Sequence, residues 1–154
     1  MTIQIDTREK PKAIELITKT FDRRGVDWFR SKLPVGDYIS LDNARLSIDR
    51  KQNLGELCTN TTQDIKRFIA ELERAEQMGI RLIILCEHGG GIERLEDVMY
   101  WRNPRLKESP LAVSGERLYR KLSAISKAHG VRFEFCTKQQ TGSRIIELLG
   151  GDAG

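Results

Sequence analysis

The chain has 154 residues, 39% hydrophobic and 31% charged, with a formal net charge of +4, a single-domain length with enough apolar material for one sizeable core. No apolar run approaches the ~18–20 residues a membrane helix needs, and Met1-Thr2-Ile3-Gln4-Ile5-Asp6 is a poor signal peptide, so an intracellular protein is expected. Cys58, Cys86 and Cys136 are odd in number and widely spaced with no Cys-x-x-Cys pair, which argues against a disulfide framework and a zinc site; all three read as reduced, mostly buried thiols.

Taken in order, Thr2-Ile3-Gln4-Ile5 alternates as a short strand and runs into Asp6-Thr7-Arg8-Glu9. Pro11 suits a helix start, and Ala13, Ile14, Ile17 and Phe21 follow at helical spacing until Gly25. Val26 to Leu33 reads as a second strand. Leu33 to Leu57 then places two runs rich in Leu, Ile and Tyr on either side of the polar turn Asp42-Asn43-Ala44, the pattern of an antiparallel hairpin. Asn53 or its neighbours open a short helix to Cys58, and Asp64 caps a clearer one with Ile65, Phe68, Ile69, Leu72 and Ala75 on one face and Glu71 among the charged residues elsewhere.

Ile80 to Cys86 is nearly continuous apolar sequence, as expected of a strand buried on both faces at the sheet centre. Glu87-His88 ends it, and Gly89-Gly90-Gly91 lacks the spaced Gly-Lys-Ser/Thr of a phosphate-binding loop. Leu95 to Trp101 is a candidate short helix and Arg102 to Val113 an exposed loop. Ser114 caps the next helix, with Leu118, Leu122 and Ile125 inward, up to Gly130. Val131 to Cys136 alternates as a strand, a last helix carries Ile145, Ile146, Leu148 and Leu149, and residues 151–154 are expected to be a disordered tail. The chain is expected to be one domain over residues 1–150, an α/β layered fold with a mixed sheet.

Charge is uneven. From Arg102 to Arg132 eight basic residues face only Glu108 and Glu116, a net +6 that leaves the remainder near −2. A basic segment beside an acidic cluster fits a protein that holds a polyanion on one surface and a metal nearby; a solvated helix with ordinary Lys and Arg gives the same pattern.

The acidic cluster is in the hairpin. With the turn centred on Asn43, residue i pairs with residue 86 − i, and Asp37 falls opposite Asp49. Side chains so placed stand about 4.5–5.5 Å apart at Cβ, and like charges there repel. Lys51 lies on the same side of the strand. A divalent cation offsets the repulsion, and magnesium takes one or two carboxylates with water and substrate phosphate completing its shell. Phosphodiester hydrolysis needs those parts: a cation, an activated water and stabilisation of the departing oxygen. Lys51 would orient the water, favour its deprotonation or stabilise the pentacovalent charge, and Asp6 and Glu9 would join as ligands or supporting groups. Two aspartates in a hairpin are also ordinary structural or solvated groups. Because Ile39 and Leu41 share the nominal face of Asp37, the strand is expected to twist or bulge near the site.

Ile-Asp-Thr-Arg-Glu at 5–9, Val-Gly-Asp-Tyr at 35–38 and Ile-Asp-Arg-Lys at 48–51 resemble the successive motifs of the XPF-type nuclease domain, a branch of the PD-(D/E)XK superfamily. The segments from Gly79 to Leu85 and from Leu118 to Leu149 also look like that domain, especially its short phage and bacterial versions. The resemblance implies a restriction-endonuclease-like mixed sheet flanked by helices, and a magnesium- or manganese-dependent endonuclease that cuts DNA near branches, flaps or junctions. By position it makes Asp37 and Asp49 metal ligands, Lys51 the catalytic lysine, and Asp6, Arg8, Glu9 and Arg50 supporting members, with Asp6 also a candidate ligand. Asp49 stands where the family usually has Glu. Gly55 stands where it tends to have an acid, and the neighbouring Glu56 is a candidate replacement and metal ligand.

No helix-hairpin-helix module is present in these 154 residues, so DNA binding is expected from the nuclease domain, a second subunit or a partner protein, with a dimer surface sought in Leu118 to Leu149. The expected location is the cytoplasm, the nucleoid or an infected host's cytoplasm. Rival readings are a non-catalytic DNA-binding or scaffold subunit and an RNA-processing nuclease. Trp101 beside Arg102 and Arg105 invites base stacking, against the commoner role of anchoring a loop. His88 and His129 read as surface or cap residues, Glu87 as a solvated strand end, and Arg23-Arg24 as partners of a helix C-terminus.

Overall fold

A computed structural model describes residues 1–150. Six strands form one mixed sheet: β1 (Thr2–Ile5), β2 (Asp27–Arg30), β3 (Tyr38–Ser40), β4 (Asn43–Lys51), β5 (Arg81–Glu87) and β6 (Arg132–Cys136), in the order β2-β1-β3-β4-β5-β6. The β1/β2, β4/β5 and β5/β6 pairs are parallel, while β1/β3 and β3/β4 are antiparallel. Five α-helices cover it: α1 (Glu15–Arg23), α2 (Leu54–Thr61), α3 (Ile65–Gln77), α4 (Gly115–His129) and α5 (Thr141–Gly150). The expected α/β layered fold is the one observed. The expected tail at 151–154 lies outside the described residues, among which no helix is long and apolar enough to cross a membrane.

Strand alternation divides the core in two. Ile3, Ile5, Tyr38, Ile48, Ile83 and Leu85 pack with Ile17 and Phe21 of α1 and Ile145 and Leu149 of α5. Leu82, Ile84, Cys86, Phe133 and Phe135 pack on the other side with α2, α3 and α4. Leu118, Leu122 and Ile125 are at most 6% exposed, so the apolar face of α4, where a dimer surface was sought, is the core of this chain. The most exposed large apolar groups are Tyr100 (79%) and Leu111 (86%).

Several boundaries differ from expectation. α1 begins at Glu15 rather than near Pro11, because the chain first makes turns in which Ala13 and Ile14 both donate to the Lys10 carbonyl; Ala13 is exposed, and Thr20 takes a buried place on the inner face. Asp64 precedes α3, yet its side chain makes no capping bond. Leu95–Tyr100 is a 3-10 helix, and the loop expected from Arg102 holds a second one at Pro104–Lys107 and a buried Asn103 that donates to Val113 O at 2.8 Å. Ser114 caps α4 as expected, accepting from Arg117 N at 3.2 Å, and Gly130 closes it in the left-handed region. Trp101 anchors its loop, packing on the core and edge-on to His88. The three cysteines are buried free thiols.

The hairpin register is Tyr38↔Ile48 and Ile39↔Ser47, the pairing expected, but Ser40 pairs with Asn43. The turn proper is thus Leu41-Asp42, and Ala44, Arg45 and Leu46 bulge out to restore the register. The bulge carries Leu41 off the Asp37 face and into solvent, where it is 53% exposed.

Gly36 sets the approach to Asp37. Its φ is +76°, and a Cβ there would stand 2.0 Å from Ser47 Oγ. That hydroxyl is fully buried and donates to Val35 O at 2.9 Å, so it has no room to yield. Gly36→Ala is expected to cost about 2–5 kcal/mol in urea denaturation, combining left-handed strain with overpacking. Gly25→Ala, also at positive φ but with open space around it, carries only the strain, about 1–2 kcal/mol.

Candidate active site

At the end of the sheet where β4 stops, Arg8, Glu9, Gly36, Asp37, Asp49, Arg50, Lys51, Gln52, Glu56 and Glu71 line a polar cleft of about 240 Å³. Alternation along β4 sends Asp49 and Lys51 to the α2/α3 side and Arg50 to the α1/α5 side. Asp37 has already left the ladder: its N–H donates to Ile48 O at 2.7 Å, and its Oδ2 accepts from Arg50 N at 2.8 Å. Burial, the negative charge of Asp49, a hydrogen-bonding contact with that carboxyl and the charge of Glu9 push the Asp37 carboxyl well above its ordinary range, against the Arg50 amide. The two aspartates thus meet as the register predicts.

Lys51 Nζ lies 3.4 Å from Asp49 Oδ2 and over the Phe68 ring of α3. Burial works against its charge, but Asp49, then Glu56, Glu71 and Asp37, outweigh it and raise its pKa. Lys51 is therefore an ammonium at neutral pH. Glu56 is held by the start of α2: Asn53 caps the helix by accepting from Glu56 N at 2.8 Å, while Glu56 Oε2 reaches back to accept from Gln52 N at 2.7 Å. His88 Nδ1 accepts from Leu54 N at 3.2 Å, the cap role expected of it.

Asp6 is brought near but not into the cleft. Fully buried, it accepts from Leu33 N at 2.7 Å and from Arg8 N and Nε at 3.1 and 2.5 Å. Burial opposes its ionisation, yet those donors hold its carboxyl below the ordinary range. Its oxygens tie the end of β1 to the loop before β3 and are taken up by these donors. Arg8, 62% exposed at the side chain, stands at the rim.

Glu9 and Arg50 form a fork. Arg50 Nε and Nη2 donate to Glu9 Oε1 and Oε2 at 2.6 and 2.8 Å, Tyr38 Oη donates to Glu9 Oε1 at 3.0 Å, and Arg50 Nη1 donates to Glu87. Glu87 is buried, not the solvated strand end expected. Sequence reading also passed over Glu71, which α3 turns into the cleft. A charged residue on a helix that is apolar on one face reads as solvent-facing, and only the packing of α3 on β5, with Phe68 under Lys51, shows otherwise.

A divalent cation suits this donor set. Among the described residues no group of three or more His, Cys, Asp or Glu side chains is disposed to hold an ion; Asp37 and Asp49 meet in the cleft, and Glu56, the other candidate ligand there, has its Oε2 on Gln52 N. Two carboxylates pressed together, one resisting ionisation, are what a magnesium-type ion with mostly water and phosphate ligands would relieve. Without metal, a carboxyl whose folded pKa is raised loses stability as pH climbs from its unfolded value toward the folded one, because the unfolded chain releases the proton more readily. Asp37→Asn is therefore expected to melt higher than the parent in EDTA at pH 8, by about 2–4 °C for each kcal/mol relieved, and to show a smaller gain at pH 4. Equal melting shifts at both pH values would contradict the strain.

Comparison with curated protein sequences returns no match. Among solved structures, XPF from Aeropyrum pernix superposes with a TM-score of 0.68 at 18% identity, over 97% of this chain and 63% of that one. The same archaeal protein in complex with DNA gives 0.69 at 17%, with the same coverage. The likeness is one of fold, and the chain spans about 63% of the length of the proteins it matches. The ERCC4 domain model matches residues 5–149, nearly all of the sequence and every cleft residue, and the chain belongs to the ERCC4 domain family.

Proposed function

We propose that this chain is a metal-dependent endodeoxyribonuclease that hydrolyses phosphodiester bonds at branched, flap or junction DNA. The observation that carries the reading is the pairing of Asp37 with Asp49 in an open polar cleft, with the Lys51 ammonium 3.4 Å from Asp49. Family membership and the fold shared with an XPF solved on DNA support it.

Asp37 and Asp49 would hold magnesium or manganese, which supplies charge neutralisation and a water of lowered pKa when bound. Lys51, its Nζ 3.4 Å from Asp49, would orient the water and stabilise negative charge developing on the phosphoryl group. Against burial, Asp49, then Glu56 and Glu71, favour its ammonium form. Arg8 at the cleft rim offers a guanidinium to a backbone phosphate. The basic run from Arg102 to Arg132 offers further phosphate contacts, and a second copy or a partner protein would extend the DNA-binding surface.

The test incubates purified chain with labelled fork, flap, junction and linear duplex in magnesium, manganese or EDTA. Cleavage is expected with either metal, strongest on a branched substrate, and absent in EDTA. Lys51→Ala is expected to lower the rate about 10²–10³-fold, as loss of one preorganised charge does, and Asp37→Asn at least as much, while both remain folded by circular dichroism. Binding without cutting would favour a scaffold subunit, preferential cutting of RNA a different substrate class, and cleavage surviving both substitutions would sink the assignment.

A further inference from the structure

We propose that Glu87, backed by Thr141, is a positioning residue of the cleft: it fixes the Arg50 guanidinium in the orientation that occupies both oxygens of Glu9, and so leaves Asp37 and Asp49 free for a divalent cation. This rests on the metal-dependent reading above and adds two residues to it from outside the cleft lining.

The side chains of Arg50, Glu87 and Glu9 are 6%, 5% and 10% exposed. Three charges taken so far out of water are weak evidence of stabilisation, since desolvation costs several kcal/mol per ion, about what the pairing returns, and apolar replacements of such clusters are often neutral or better. What the cluster does supply is direction. A guanidinium is a rigid planar fork of five N–H donors, and here each edge has an acceptor: Nε and Nη2 meet Glu9 in bidentate fashion, and Nη1 meets Glu87 Oε1.

Glu87 is itself immobilised. Its Oε2 accepts from Thr141 Oγ1 at 2.5 Å, and Thr141, fully buried, is the first residue of α5, where the helix N-terminus favours a carboxylate. The chain of contacts runs from α5 through β5 to β4 and ends at Glu9 after β1. Glu9 lines the cleft and its charge already bears on Asp37. With both of its oxygens committed to Arg50, it is a counter-ion and not a third ligand.

Removing Glu87 leaves Arg50 Nη1 a buried donor without an acceptor, a state costly enough to drive rearrangement. The cleft that Arg50 lines offers Asp37 and Asp49 as alternatives. A guanidinium drawn onto them competes directly with the cation. Thr141 acts one step further back, by letting Glu87 swing.

The test titrates Mn²⁺ into the full-length, metal-stripped chain without DNA, by calorimetry. Glu87→Ala is expected to raise the Kd about 10–100-fold, the usual consequence of losing a group that orients ligands. Thr141→Val, close to isosteric, should raise it a few-fold, and Glu87→Gln, which keeps an acceptor for Arg50, should recover most of the loss. If Glu87→Ala does not fold, Thr141→Val decides. Mn²⁺ affinity equal to the parent's in the folded variants, with or without a drop in melting temperature, would reduce Glu87 to a piece of the core and overturn the proposal. A parent that binds no Mn²⁺ overturns it together with the metal reading. Weakened Mn²⁺ binding in the variants of a parent that cuts nothing would uphold the positioning role while the nuclease reading fell.

Discussion

Asp37 and Asp49 are pressed together at the end of β4, in a site too buried for both to ionise at ease. A pair of carboxylates in this relation gains nothing from the fold; the fold must hold it in place. The Arg50 amide takes one oxygen of Asp37, Gly36 lets the chain turn into the position, and the buried Ser47 hydroxyl pins the strand beside it. The Arg50 guanidinium, which could relieve such repulsion, is saturated by Glu9 and Glu87. The positive charges left to the site are Lys51, in contact with Asp49, and Arg8 at the rim. What remains uncompensated is the charge that, under the proposed function, a cation would neutralise, and a site of this kind sets stability against activity.

The parts of this arrangement legible in the sequence are those governed by short-range periodicity. Alternation of two fixes which residues of β4 share a face, so Asp49 and Lys51 follow from the sequence once β4 is recognised as a strand. The opposition of Asp37 and Asp49 follows from the register at Tyr38↔Ile48. The turn itself lies at Leu41-Asp42, ahead of the Asn43 centre that the polar run suggests. Counting outward from Asn43 reaches the right pairs because three bulged residues on one strand make up for a tighter turn at Leu41-Asp42. The buried run ending at Cys86 was legible as a central strand for a similar reason, since a strand covered on both faces has no polar alternation to disguise it.

What was hidden depends on contacts between elements distant in sequence. Glu87 lies 37 residues from Arg50 and 54 from Thr141, and a glutamate at the end of a strand ordinarily meets water. Glu71 sits on a helix whose apolar face is obvious, so its other residues read as solvated; only the packing of α3 on β5 turns one of them into the cleft. Asp6 shows the converse. It belongs to a motif that suggests ligation, yet the Leu33 amide and Arg8 claim its oxygens, and its place in the motif is explained by the joint it makes between β1 and the loop leading to Asp37.

The triplet Asp49-Arg50-Lys51 carries the logic of the site in three consecutive residues. A pleated strand sends the first and third to one face and the second to the other. The α2/α3 face receives the carboxylate and the ammonium that line the cleft. The α1/α5 face receives a guanidinium committed to Glu9 and Glu87. One strand thereby serves both the chemistry and its support, and the support is buried where water cannot loosen it. The same geometry limits what substitution can achieve: lysine in place of Arg50 would keep the charge but lose the fork that holds two carboxylates at once. Because Arg50 also lends its backbone N–H to Asp37, a disturbance of its side chain has a short path to the carboxylate pair, through the strand that carries both.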